Sequence, residues 1–160
     1  MCSKTYDHRS YIFRYDKHMP DTDDLSLIVL KGHLLIEEML IDIRDKLLPH
    51  AEYLKPVNLK FNQLLHVIRS AIESKHDHKS WDLIVEFNKL RNNLAHNLEP
   101  PKLKNLLSQL FYVCSQTQPF DEIQIDKSGE TELDTATRLK NVVIDCMQFL
   151  MSVLSSLYNK

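Results

Sequence analysis

Between Asp21 and Leu48 the apolar residues recur every three or four positions, the spacing of an amphipathic helix. Asp21, Thr22 and Asp23 supply N-cap oxygens and Pro49 closes the run, which predicts a first helix of about 25 residues, roughly 37 Å long. At about 100° per residue, Leu25, Ile28, Val29, Ile36, Met39, Leu40, Ile43 and Leu47 share one face. Leu27, Leu30, Leu34, Ile41 and Leu48 share a second, nearly opposite one. A helix in a monomeric bundle needs one apolar face. The second therefore predicts either deep burial or an isologous contact with another copy of the chain.

The same reading predicts a second helix from Leu59 to about Ser74, with Phe61, Leu64, Leu65, Ile68, Ala71 and Ile72 as its stripe. Lys75 to Lys79 is polar and reads as a loop. A third helix starts with Ser80 as its N-cap and runs to His96 or Asn97, ahead of Pro100 and Pro101. Pro101 suits the first turn of a fourth helix reaching about Ser115. Gln116 to Glu130 reads as a long loop with a short extended piece at Phe120 to Ile125. A last helix from about Glu132 to Tyr158 carries a full apolar stripe. Residues 1 to 20 mix aromatic and charged side chains without sustained periodicity, and are expected to form an arm lying on the body or on a partner. Residues 21 to 160 then form a single all-α domain, a bundle of about five helices.

Composition sharpens this layout. A chain of 160 residues is long enough for one domain with a real core. Its only glycines are Gly32 and Gly129, too few for a turn-rich β fold. A formal charge of −2 argues against a protein that coats nucleic acid nonspecifically, because that needs many phosphate-neutralising cations. Cys2, Cys114 and Cys146 lack framework or zinc spacing and read as reduced, the last two as core residues. Without a secretory-type leader or a run of about 18 apolar residues, a cytoplasmic protein with no membrane contact is expected.

The third helix holds the candidate chemistry. Leu83, Phe87, Leu90 and Leu94 should face the core, while Trp81, Ile84, Val85, Asn88, Asn92 and Ala95 take the other side, flanked by Arg91 and His96. Arg91 and His96 lie about 140° apart in azimuth, so one protomer does not easily bring both tips onto a small target. The small Ala95 between them suits close approach of a symmetry mate. His96 has the acid/base chemistry that suits proton transfer near neutral pH, and Arg91 can hold phosphate oxygens bidentately. Asn92, one turn before His96, could hydrogen-bond the imidazole or the backbone. The plain alternative is that both side chains cap the last carbonyls of the helix or face solvent.

Arg91-Asn92-Asn93-Leu94-Ala95-His96 has the R-N-x-x-x-H form of the HEPN superfamily signature, and it follows an upstream helix reading Gly32-His33-Leu34-Leu35-Ile36-Glu37-Glu38-Met39-Leu40. The chain resembles that family. The resemblance implies a HEPN-like helical bundle and a homodimer whose composite site takes Arg91 and His96 from both chains. It also implies metal-independent cleavage of RNA leaving a 2′,3′-cyclic phosphate, in a toxin or antiphage role, with an antitoxin or regulatory protein as a further partner. No cofactor or metal is expected. HEPN toxins paired with minimal nucleotidyltransferase antitoxins carry a Tyr two residues after the His, open to modification with AMP. Leu98 stands there in this chain, which argues against that form of silencing. The alternative is a catalytically inactive HEPN-like module that binds a protein or nucleotide partner.

Other residues carry weaker signals. Glu37, near His33 and Arg44 on the first helix, is a weak candidate for a supporting acid at the site; a surface ion-pair stripe is the simpler reading. Lys89, Lys102 and Lys104, with Arg91, could form a basic rim for a short RNA segment. Lys60, Arg69, Lys75 and Lys79 make a second basic patch. His76-Asp77-His78 resembles a metal-binding triplet, but it has no partner ligands at suitable spacing and reads as a solvent loop.

Overall fold

The computed structural model describes residues 7–72, 78–97, 99–117 and 134–158. Among these the chain is all helical: α1 (His8–His18), α2 (Leu25–Leu47), a 3-10 helix (Ala51–Val57), α3 (Phe61–Ala71), α4 (His78–His96), α5 (Leu103–Gln116) and α6 (Thr135–Tyr158). The expected count of about five was short by two. Part of the arm is a helix, and the connection around Pro56 winds into a 3-10 turn ending on Asn58, whose backbone is left-handed.

The central element is α2. Its N-cap is Asp24, whose Oδ1 accepts from the Leu27 amide at 3.1 Å, and Arg44 and Lys46 occupy the last turn, favourably placed for the helix dipole. Its first apolar face sits at the centre of the bundle: Ile36, Met39, Leu40 and Ile43 are fully buried. Its most extensive packing is on α6, followed by α3 and α4. Gly32 makes that closeness feasible. A Cβ there would overlap Val143 Cγ2 of α6 and lie 3.2 Å from Phe87 Cζ of α4.

By length and composition α6 could cross a membrane, but half of its most apolar window is buried inside the protein. Leu139, Val142, Val143, Cys146, Phe149, Leu150 and Val153 form its inward stripe. Trp81 of α4 meets Phe149 edge to face, with ring centroids 4.8 Å apart.

The arm's helix α1 is tied to the body by polar contacts as well as packing. Asp7 caps it, Tyr11 Oη donates to Asp42 at 2.5 Å, and Arg14 pairs with Glu38 at 2.7 Å. Tyr11, Tyr15 and Met19 lie against the core.

Three further expectations change. Ser80 is not an N-cap but a buried residue in the first turn of α4, which begins at His78. The side of α4 opposite Leu83 and Phe87 is not open either, since Trp81, Ile84 and Asn88 are buried. Arg44 turns to its neighbour Asp45, at 2.6 Å from Nη2, and not to Glu37. The second apolar face of α2 is not taken up by the bundle: Leu27, Leu30, Leu34 and Ile41 are 36%, 43%, 46% and 36% exposed. The extended piece expected at residues 120 to 125 lies outside the described residues, as do Cys2, His76, Asp77 and Leu98.

Candidate functional site

The motif occupies the final turns of α4, where burial gives way to solvent. Leu90 is fully buried, Arg91, Asn92, Asn93 and Leu94 are half-buried, and Ala95 and His96 are exposed. The Arg91 guanidinium donates through Nη1 to Asn92 Oδ1 at 3.1 Å. Asn92 therefore orients Arg91; the expected bond to His96 is not made. Among the described residues, Arg91 Nε is buried without a hydrogen-bond partner, and so is Asn93 Oδ1. An unpaired buried donor on a charged group is costly, so this cation carries a polar demand that the described residues do not meet.

The end of α4 is capped by Asn97, whose Nδ2 donates to the Asn93 carbonyl at 2.9 Å. Arg91 does not serve as that cap. His96, the last residue of the helix, is exposed and no hydrogen bond or ion pair reaches it among the described residues.

Beside Arg91 runs a groove of about 190 Å³ lined by Ser26, Val29 and Leu30 of α2 and by Arg91, Leu94 and Ala95 of α4. Leu30 also belongs to the exposed leucine row of α2, so the groove opens onto that row. One turn further along both helices, His33 of α2 meets Asn88 of α4. The two helices thus run antiparallel at this contact.

His33 was not singled out for chemistry in the sequence reading, yet it is 3% exposed and its Nε2 lies 3.0 Å from Asn88 Oδ1. The Asn88 amide nitrogen in turn donates to Asn62 Oδ1 at 2.8 Å. Because the amide nitrogen is committed to Asn62, Asn88 Oδ1 faces the imidazole and His33 Nε2 carries the proton. Burial pushes His33 below its ordinary pKa. The Asn88 bond opposes this, and the charge of Arg91 adds to the lowering. His33 is therefore neutral at pH 7. Its ring also lies on Phe61, centroids 4.3 Å apart. The signal in the sequence was a polar residue inside an apolar stripe on each of two helices.

The remaining candidates fall elsewhere. Lys89 is exposed and paired with Glu86 at 2.7 Å. Lys102 is the N-cap residue of α5, and Lys104 lines a different groove, with Phe111 and Arg138. Glu37 is half-buried one turn beyond His33, on the side away from Arg91, and makes no hydrogen bond or ion pair among the described residues. In the second basic patch, Arg69 lies 4.0 Å from Asp82. No cluster of three or more His, Cys, Asp or Glu side chains able to hold a metal occurs among the described residues.

Cys114 and Cys146 lie on α5 and α6, away from the end of α4. Cys146 is buried, and Cys114 donates to Asp145 Oδ2 at 3.2 Å, with burial first and Asp145 second pushing its thiol up to about 12. Such a thiol is not a nucleophile at neutral pH.

No family model, no curated protein and no solved structure matches the chain.

Proposed function

We propose that this chain is a metal-independent endoribonuclease of HEPN type, a toxin or antiphage effector that works as a homodimer. The observation that carries the reading is the end of α4: an oriented, half-buried Arg91 and an exposed His96 flank Ala95, beside a groove that opens onto an unpartnered leucine row. A second copy seated on Leu27, Leu30 and Leu34 would cover apolar surface that a monomer leaves in water. With Ala95 exposed at the groove, that copy can bring a second Arg91 and His96 to the same place.

The chemistry then uses this chain's own groups. One His96 takes the proton of a ribose 2′-hydroxyl, and the 2′-oxygen attacks the adjacent phosphorus. The bond from phosphorus to the 5′-oxygen breaks, and the His96 of the other protomer protonates that leaving oxygen. Two products remain, a 2′,3′-cyclic phosphate and a free 5′-hydroxyl. The Arg91 side chains bind the phosphate oxygens as charge builds on them.

The test is incubation of purified protein with total cellular RNA in EDTA, beside the Arg91→Ala/His96→Ala variant, with analysis of the fragment ends. Wild-type cleavage leaving cyclic phosphate, lost by about 10²-fold or more in the variant, is the expected result. Absence of cleavage by folded, dimeric protein overturns the nuclease and favours an inactive HEPN-like module that binds a protein or nucleotide partner.

A further inference from the structure

The chain of side chains His33, Asn88 and Asn62 links three helices through the bundle, and its cost needs a reason. His33 and Asn88 are 3% and 4% exposed, at a level where apolar side chains would pack without any need for hydrogen bonds. In some proteins a buried polar pair specifies geometry more than it adds stability, because its hydrogen bond is satisfied in one register. Here the pair joins α2 to α4, so the geometry at stake is the rotation of one helix against the other. Asn88 lies one turn before Arg91 on α4, and His33 lies one turn after Val29 on α2, which lines the groove with Arg91.

We propose that His33 is a positioning residue: through Asn88 it sets the rotation of α4 and so holds the Arg91 guanidinium at the groove. Three observations converge on this. Gly32, the preceding residue, lies against α4 beside the pair: a Cβ there would stand 3.2 Å from Phe87 Cζ, so the missing side chain eases the close approach of the two helices. Among the described residues, Arg91 is steadied by its Nη1 bond to Asn92, while its buried Nε finds no partner. A bond to the next residue on the same helix does not fix α4 against α2, and the buried hydrogen bond that joins the two helices among the described residues is His33 with Asn88. A neutral His33 also keeps a second cation away from Arg91.

The positioning claim stands on this geometry, and only its kinetic arm rests on the nuclease reading. The test uses the full chain labelled with ¹⁵N and follows the Nε–H signal of Arg91, assigned by its loss in Arg91→Lys. In wild type that proton is buried, so slow exchange is the expected starting point. In His33→Leu, which fills the space but cannot bond to Asn88, its exchange is expected to speed up by at least about tenfold. His33→Gln, whose amide can still donate to Asn88, is expected to restore slow exchange. Asn62→Ala cuts the chain at its outer end without opening the core, and should shift the signal in the same direction by less. This keeps the proposal open to refutation if His33→Leu does not fold.

In parallel, RNA cleavage by His33→Leu is expected to lose about 10²-fold in kcat with recovery in His33→Gln, as displacement of a transition-state group predicts. An unchanged Arg91 signal in folded His33→Leu overturns the proposal, whether or not the protein cleaves RNA. A freed Arg91 in a protein that never cleaves RNA supports the positioning role and instead removes the nuclease reading.

Discussion

The two apolar faces of α2 are built from the same residue types and meet opposite fates. Ile36, Leu40 and Ile43 are fully buried among α3, α4 and α6, while Leu27, Leu30 and Leu34, one face away on the same helix, keep more than a third of their surface in water. Side-chain chemistry does not separate them. What separates them is that three helices converge on one face, whereas the other borders the end of α4, where the bundle stops and the Arg91 groove opens. In the homodimer proposed here that row is the contact between copies, and it lies beside the residues proposed for chemistry.

Substitutions break that comparison in order of size. Ile36→Ala on the buried face should cost about 2–5 kcal/mol in urea unfolding, through lost transfer energy and a residual cavity. Gly32→Ala should cost about 1–3 kcal/mol, because the added methyl meets Val143 where α2 and α6 touch. A stability equal to wild type in that variant would show the contact to be softer than described. Leu30→Glu with Leu34→Glu should change monomer stability by no more than about 1 kcal/mol. The same pair should turn a dimer into a monomer by sedimentation and abolish RNA cleavage. If sedimentation is unchanged, the exposed face is not the contact between copies.

Smaller effects follow from titration. His33 is held below its ordinary pKa in the folded state, so the unfolded chain binds the proton more readily. Folding stability is thus intact above the unfolded value near 6.5 and falls as the pH drops below it. His33→Gln should flatten that acid slope in melting curves taken between about pH 7.5 and 5. Asp145 is shifted the other way: burial raises its carboxyl pKa, and the Cys114 bond opposes this. A raised carboxylate costs stability above its unfolded pKa and ceases to do so in acid. Asp145→Asn, which keeps an acceptor for the Cys114 thiol, should therefore raise the melting temperature slightly at pH 7 and have no such effect near pH 3.

Much of the helical layout was legible beforehand. The stripes on α2, α3 and α6 and the stop at Pro49 follow from spacing and proline chemistry, and the helices stand within a few residues of the expected ends. Helix α1 was missed because its inward contacts are two tyrosines and a methionine held partly by polar bonds, a weak periodic signal. Of the candidate site, Arg91, Asn92 and His96 were recognisable as a motif. The role of Asn92 was not, because the choice between Arg91 and His96 as its partner depends on where the guanidinium turns. His33 looked like one polar interruption in a helix; its importance lies in Asn88 and Asn62, fifty-five and twenty-nine positions away.

By itself the sequence determined the helical class, the breaks between helices, the doubly apolar character of α2 and the presence of an Arg and a His at the end of one helix. These are local properties, set by the 3.6-residue period and by which residues can continue a helix. Only the tertiary structure decided which face of α2 is covered, that Asn88 is buried against His33, and that Arg91 lies at a groove shared by two helices. Periodicity gives angles around one axis, whereas burial depends on how separate axes pack, and that packing is chosen by the whole chain at once.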